Sequence, residues 1–272
     1  VSAIVIDGLR WEVRARGAGR PLLLLHGFTG RGVSWGAHAT AFARAFRVIT
    51  VDLPGHGRSG IADPARMTVE QTAGDLAAVL ARVADGSAHV LGYSLGARIA
   101  LRLAVAHPHA VDRLVLESPS AGLAAAEDRT ARREADETLA ARVEDDGIEA
   151  FVAEWERQPV FAGHASLSSA RLARQRAIRL ANDPAGLAAS LRGAGQGAMT
   201  PLFDRLGAIA APTLVIAGAL DDRGRPRAEA VARGIPGARL AVIDGSGHTP
   251  HEERPRAFRR LALDFLQEVP AP

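Results

Sequence analysis

Three residues far apart in this 272-residue chain, Ser94, Asp221 and His248, are of the types that together make a serine reactive. A serine hydroxyl is a weak nucleophile and a weak base at neutral pH. It needs a neutral imidazole to take its proton and an acid to hold that imidazole. Ser94 stands in His89-Val90-Leu91-Gly92-Tyr93-Ser94-Leu95-Gly96-Ala97-Arg98. There a short apolar run ends in Gly-x-Ser-x-Gly, and helix-forming residues follow at once. That pattern predicts a strand, a sharp turn and a helix with the serine at the apex. Gly92 and Gly96 leave the room such a turn requires, and the helix N-terminus behind the serine favours developing negative charge.

The partners come from two later strand ends. Asp221 follows an apolar run at 214–217 through Gly218-Ala219-Leu220. His248 follows another at 240–243 through Asp244-Gly245-Ser246-Gly247. Both therefore lie beyond the carboxyl ends of parallel strands, the edge where Ser94 also sits. Asp222 is a rival acid, and Asp221 is preferred because it closes the Gly-x-x-Asp turn. His251 is a rival base, and His248 is preferred because His251 begins the last helix. An oxyanion needs two fixed backbone N–H donors. Leu95, after the serine, offers one, and Phe28, in the loop after a strand at 22–25, offers the other. His26 and His56 read as packing residues beneath that loop, and His107 and His109 as surface residues. Gly55-His56-Gly57 lacks both the spacing of a dinucleotide loop and the lysine of a P-loop. No His or acid pair at helical spacing stands out as a pair of metal ligands.

The elements that must position these residues alternate. Val1 to Asp7 and Trp11 to Ala15 read as an edge hairpin about Asp7-Gly8. Buried strands are expected at 21–25, 47–52, 89–93, 113–117, 212–217 and 240–243. Helices are expected at 35–45, 68–83, 95–107 and 255–266, the second capped by Thr68 with Gln71 three residues on. Strands alternating with helices imply a parallel sheet with right-handed crossovers. From about Ser118 to Met199 the rhythm breaks into helical patterns alone: 127–144, 148–157, 167–180 and 185–191. This is an inserted helical lid. The expected division is a core of residues 1–117 and 200–272 and a cap of residues 118–199.

Composition narrows the class. Hydrophobic residues make up 47% and charged residues 23%, a globular balance, while aromatics are only 4%, so packing should be aliphatic and close. There is no cysteine, which excludes disulfides, thiolate metal sites and a cysteine nucleophile. There is also no lysine, so all 33 basic side chains are arginine. The pI of 10.6 reflects that choice, because the net charge is only +3. The arginines are interspersed with acids and no basic run is interleaved with aromatics, so no nucleic-acid partner is expected. No apolar segment approaches the roughly 20 residues of a membrane span, and the N-terminus has no apolar signal core, so the expectation is a cytoplasmic protein off the membrane. Its oligomeric state is expected to be a monomer or small homo-oligomer.

The chain order Ser, Asp, His and the Gly-x-Ser-x-Gly elbow resemble the α/β-hydrolase superfamily over the whole chain. The expected fold is therefore α/β: a mostly parallel central sheet with helices on both faces and a helical cap inserted after the sixth strand. Within the superfamily four core segments look like one family: 25–30 (Leu-His-Gly-Phe-Thr-Gly), 52–57 (Asp-Leu-Pro-Gly-His-Gly), 92–98 (Gly-Tyr-Ser-Leu-Gly-Ala-Arg) and 117–123 (Glu-Ser-Pro-Ser-Ala-Gly-Leu). Three cap segments do the same: 127–133, 155–161 and 179–184. The chain is similar, in these, to the 2-succinyl-6-hydroxy-2,4-cyclohexadiene-1-carboxylate synthases of menaquinone biosynthesis.

That resemblance implies a lyase. The serine, activated by the histidine, would abstract a proton alpha to the succinyl ketone, and elimination across the ring would expel pyruvate without metal or organic cofactor. The substrate would be a small polycarboxylate, bound by Arg98 one turn beyond Ser94 and by Arg132 and Arg179 from the cap. Trp155 would wall the pocket and Tyr93 could donate from beside the serine. Arg129, Arg133 and Arg192 are possible substitutes. The chain departs from the family after the acid: a lysine and an aromatic are frequent there, whereas Asp221 is followed by Asp222-Arg223-Gly224-Arg225. The alternative is a carboxylesterase or carbon–carbon bond hydrolase on the same triad. Dehalogenases and epoxide hydrolases need a carboxylate at the elbow, where this chain has Ser94.

Overall fold

The structure is a computed structural model, and it describes residues 2–268. Val1, read above as the start of the edge hairpin, lies outside the described residues. The first two strands, β1 (Ser2–Ile6) and β2 (Leu9–Arg16), pair antiparallel about Asp7 and Gly8. Both turn residues have positive φ, 44° and 79°, the backbone of a two-residue turn that matches strand twist. Six parallel strands follow: β3 (Pro21–Leu25), β4 (Arg47–Val51), β5 (Ala88–Tyr93), β6 (Val111–Glu117), β7 (Thr213–Gly218) and β8 (Arg239–Ile243). The sheet order is β1-β2-β4-β3-β5-β6-β7-β8, with β2 antiparallel to β4. The serine strand β5 thus lies mid-sheet, where both neighbours hold it.

Alternation along the strands divides the core in two, as a period of two requires. Leu23, Leu25, Val90, Leu114, Leu116 and Val215 pack on one face, with helices α2 (Val69–Val83), α3 (Leu95–Ala106) and α7 (Gly224–Gly234). Leu22, Leu24, Leu91, Val115, Leu214 and Ile216 pack on the other, with α1 (Gly36–Phe42) and α9 (Pro255–Gln267). Thr68 caps α2 by accepting from Gln71 N at 3.1 Å. Strand β8 corrects the expectation of a buried strand at 240–243. It lies at the sheet edge, and Leu240 and Val242 are exposed. Its apolar run is that of an inner strand, but no further strand among the described residues covers it.

The residues between β6 and β7 carry α4 (Ala126–Trp155), α5 (Ser169–Leu180) and α6 (Pro184–Ala194). The two helical patterns expected at 127–144 and 148–157 are the two arms of α4, broken at Gly147 (φ 80°, ψ 173°). Arg142 and Glu154 form an ion pair at 2.7 Å. Twelve residues of straight helix would separate them by about 18 Å, so the chain turns back at Gly147. Ala140, Val143, Phe151 and Val152 of α4 then pack on Leu187, Ala188 and Leu191 of α6, with Phe28 of the core against them. No helix among the described residues is long and apolar enough to cross a membrane.

Candidate active site

The elbow has the strain expected of it. Ser94 sits at φ 50°, ψ −107°, a region that costs a non-glycine residue about 1–3 kcal/mol. A Cβ on Gly92 would run into the Gly96 carbonyl and Ala97 Cα, and one on Gly96 into the Leu25 carbonyl. The strand and helix can approach so closely only with glycine at both places. Ser94 N donates to Glu117 O at 2.9 Å, which ties the turn to the neighbouring strand.

Asp221 and His248 leave the ends of β7 and β8, and their loops are bonded to each other through Leu220 N and Ser246 O at 2.8 Å. His248 Nδ1 lies 2.6 Å from Asp221 Oδ2, and His248 Nε2 lies 3.1 Å from Ser94 Oγ. Asp221 also accepts from Gly224 N at 2.9 Å. Burial raises the Asp221 pKa, but the hydrogen bond and charge of His248 outweigh it, and the carboxyl is held below its ordinary value. An ionised Asp221 only accepts, so the proton of His248 sits on Nδ1 and the lone pair of Nε2 faces the serine. Asp222 and His251 do not join this chain. His251 is buried on the short helix α8 (Pro250–Glu253), bonded through N and Nδ1 to Glu117 Oε1 at 2.7 and 2.9 Å. Burial opposes its charge, yet Glu117 prevails and raises its pKa.

Two carboxylates the sequence reading did not single out frame the histidine loop. Glu117 is the first, and Glu253 is the second: it accepts from Gly247 N at 2.6 Å and from Thr249 Oγ1 at 2.7 Å. Ser118 Oγ donates to His248 O at 2.9 Å. The N–H groups of Phe28 and Leu95 have no acceptor among the described residues, and both residues line the cavity into which Ser94 opens. The Phe28 ring meanwhile packs on Trp155 and His56, at 5.3 and 5.6 Å between centroids.

His26 and His56 are indeed buried beneath this loop. His26 Nε2 accepts from Leu53 N at 2.9 Å, and His56 Nε2 from Thr29 N at 3.3 Å. Burial above all lowers their pKa values to about 4 and about 3. Asn182 lies two residues past the end of α5. It donates to Thr29 O at 2.9 Å and accepts from Gly57 N at 2.8 Å, bridging the loop after β3 and the glycine-rich loop from the helical segment between β6 and β7.

Ser94 opens into a cavity of about 1060 Å³ between the sheet edge and α4 to α6. Its walls include Tyr93, Arg98, Arg132, Trp155 and Arg179. The Tyr93 ring lies tilted, with its centroid 5.7 Å from that of His248 and 4.7 Å from that of His251, and burial drives its pKa well up, so it stays a neutral donor. Arg98 Nη1 donates to Ala194 O at 2.8 Å. Burial first, then Arg132, lowers the Arg98 pKa to about 10, which leaves it charged at neutral pH. Arg132 pairs with Asp136 at 2.8 Å, and Arg179 with Glu156 at 2.9 Å while lying over the Phe161 ring. Arg129, Arg133 and Arg192 point elsewhere, to Leu123 and Ala124 carbonyls, to Gly197 O and to Glu137 with Glu144. No group of three or more His, Cys, Asp or Glu among the described residues could hold a metal ion.

This geometry can move a proton from a substrate carbon or activate a serine for attack, and comparison with known proteins narrows the choice. Residues 20–255 match the family described as alpha/beta hydrolase fold. The chain is 34% identical over 272 residues to a putative 2-succinyl-6-hydroxy-2,4-cyclohexadiene-1-carboxylate synthase of Bacillus subtilis, covering 99% of both chains. It is 34% identical over 248 residues to the synthase of that name from Klebsiella pneumoniae, covering 90% of this chain and 93% of that one. A solved structure of MenH from S. aureus superposes with a TM-score of 0.90 at 32% identity, covering 94% of this chain and 97% of that one. By the family match over residues 20–255 and these relatives, the chain belongs to the α/β-hydrolase fold family and, within it, to the 2-succinyl-6-hydroxy-2,4-cyclohexadiene-1-carboxylate synthases.

Proposed function

We propose that this protein eliminates pyruvate from 2-succinyl-5-enolpyruvyl-6-hydroxy-3-cyclohexene-1-carboxylate to give 2-succinyl-6-hydroxy-2,4-cyclohexadiene-1-carboxylate, in menaquinone biosynthesis and in the cytoplasm. The observation that carries this reading is a relay of Ser94, His248 and Asp221 opening into a cavity walled by Arg98, Arg132 and Arg179. In it His248 Nε2 takes the Ser94 proton, and the Ser94 oxygen takes the proton on the ring carbon alpha to the succinyl ketone. The electron pair forms an enolate, whose oxygen is held by the Phe28 and Leu95 N–H groups. As the enolate collapses, a new ring double bond forms at the alpha carbon, the existing one shifts by one position, the carbon–oxygen bond to enolpyruvate breaks, and the departing enolate takes the proton held by His248 to become pyruvate, while the alpha proton stays on the Ser94 oxygen. The arginines hold the carboxylates, Trp155 walls the site and Tyr93 donates beside the serine. Residues 118–199 act as the cap over a core of residues 1–117 and 200–272.

The test is pyruvate release from freshly made substrate in a lactate-dehydrogenase-coupled assay, with the uncatalysed elimination subtracted. Release well above background, falling by roughly 10³-fold or more in Ser94→Ala, is expected. Release at background beside brisk cleavage of a nitrophenyl ester would replace the lyase by an esterase.

A further inference from the structure

Six arginines line the cavity: Arg98, Arg132, Arg142, Arg179, Arg223 and Arg227. Four are engaged. Arg98 donates to a carbonyl, and Arg132, Arg142 and Arg179 pair with Asp136, Glu154 and Glu156. Arg223 and Arg227 have no acceptor among the described residues. Arg227 stands on α7, the core helix that follows Asp221, and is exposed at the cavity wall. Its surroundings are cationic. Partial burial lowers its pKa first, then Arg132 does so again, while Asp221 raises it and Arg223 lowers it. Arg132 belongs to α4 of the cap, so guanidinium groups from separate parts of the chain line one cavity, and of the two Arg132 is paired with Asp136 while Arg227 has no partner among the described residues. Like charges brought together in a cavity destabilise it until a negative group arrives to share them.

We propose that Arg227 is a further substrate-binding residue: together with Arg132 it grips one carboxylate of the substrate, so that the bound substrate itself ties the core helix to the cap. The proposal rests on the elimination reading above. Arg227 follows the triad acid by six residues, which places the grip beside the reacting centre without touching Ser94 or His248. A guanidinium fork suits a carboxylate because two N–H groups can meet two oxygens. The free Arg223 at the start of α7 adds to the positive field that draws the polycarboxylate in.

The experiment compares wild type, Arg227→Ala, Arg227→Lys and Arg225→Ala by initial rates of pyruvate release over a range of substrate concentration. Arg225 lies on the same helix, outside the cavity lining, and pairs with Glu229 at 2.9 Å. Its removal subtracts the same charge without the grip. Loss of a charge-assisted contact to substrate should raise KM about tenfold in Arg227→Ala with kcat within about threefold, the signature of binding lost equally from ground and transition states. Arg227→Lys should recover part of the loss, and Arg225→Ala should leave KM within about twofold of wild type. The melting temperature of Arg227→Ala should match wild type, because the side chain bonds to nothing in the described protein. Wild-type release with an unchanged KM in Arg227→Ala would overturn the grip alone. So would an equal rise in Arg225→Ala, which would leave only long-range attraction. Failure of the wild type to release pyruvate would instead overturn the elimination reading.

Discussion

Lowering the pH from 7 to 5 should remove most of this protein's stability, and the site should fail with it. Five histidines are held as neutral rings inside the fold. Burial is the first cause for each, lowering the pKa from 6.5 to about 4 for His26, His89 and His164 and to about 3 for His38 and His56. The unfolded chain would bind these protons near 6.5. A histidine with a depressed folded pKa contributes stability that is complete above 6.5 and is lost as the pH falls toward the folded value. Each ring therefore gives up about 1.4 kcal/mol per pH unit below 6.5, or about 2 kcal/mol by pH 5. The five together give up about 10 kcal/mol, on the scale of the ~5–15 kcal/mol that holds a whole domain folded. His251 has the opposite sign. Its raised pKa lends stability complete below 6.5 and lost as the pH climbs through the folded value, so it trims the alkaline side. The maximum should lie near neutrality. Urea unfolding followed by circular dichroism at pH 8, 7, 6 and 5 reads this directly. We expect the urea midpoint to collapse between pH 6 and 5, and activity to go with it, since His26 and His56 accept from Leu53 N and Thr29 N under the oxyanion loop. A midpoint at pH 5 equal to that at pH 7 would refute the reasoning.

Two substitutions probe the site and its frame. Asp221→Asn should lower kcat by roughly 10³–10⁴-fold with little change in KM, because the amide N–H₂ would turn His248 to the tautomer whose Nε2 carries a proton and cannot take one from Ser94; a loss under tenfold in pyruvate release would remove Asp221 from the relay. Gly92→Ala should lower the melting temperature by roughly 3–10 °C, because its Cβ meets backbone of Gly96 and Ala97 that cannot step aside; calorimetry showing no change would mean the elbow is looser than its contacts imply.

What was legible in the sequence was local. The elbow glycines, the alternation of strand and helix and the Thr68 cap are all settled within a few residues, and each stands where its spacing put it. Asp221 could be preferred over Asp222 from the turn it closes. The parts that were not legible depend on partners far along the chain. Glu117 ends an apolar strand and looks like any strand-end acid, yet its partner His251 is 134 residues away. Glu253 supports the histidine loop only because α8 folds back over it. The apolar run of β8 promised burial, but burial depends on whether another strand lies outside it, and that is decided by sheet order. Arg227 sits among the evenly spread arginines of a lysine-free chain, and only the placing of α7 beside the cavity separates it from the rest.

The same relay of serine, histidine and aspartate serves hydrolysis and elimination, so the relay does not decide between them; the charge around it does. Arg98 is partly buried at one turn from Ser94, and its protein partners are a carbonyl and the Met199 sulfur. A buried cation without a carboxylate is costly, and proteins retain one where a charged ligand completes it. Asp136 and Glu70 are near enough to raise the Arg98 pKa, but Asp136 is hydrogen-bonded to Arg132 and Glu70 to Arg102, so two carboxylates stand against three guanidinium groups. A neutral ester would leave that excess unanswered and would gain little from it. A substrate carrying several carboxylates answers it, and gains a second benefit. With its anionic groups held at the walls, its alpha proton can lie over Ser94 while the developing enolate faces the Phe28 and Leu95 N–H groups. Proton abstraction next to a ketone needs no attack on a carbonyl, only a base, an oxyanion site and a fixed pose. The positive wall supplies the pose, and that is the physical reason for reading this cavity as one that eliminates.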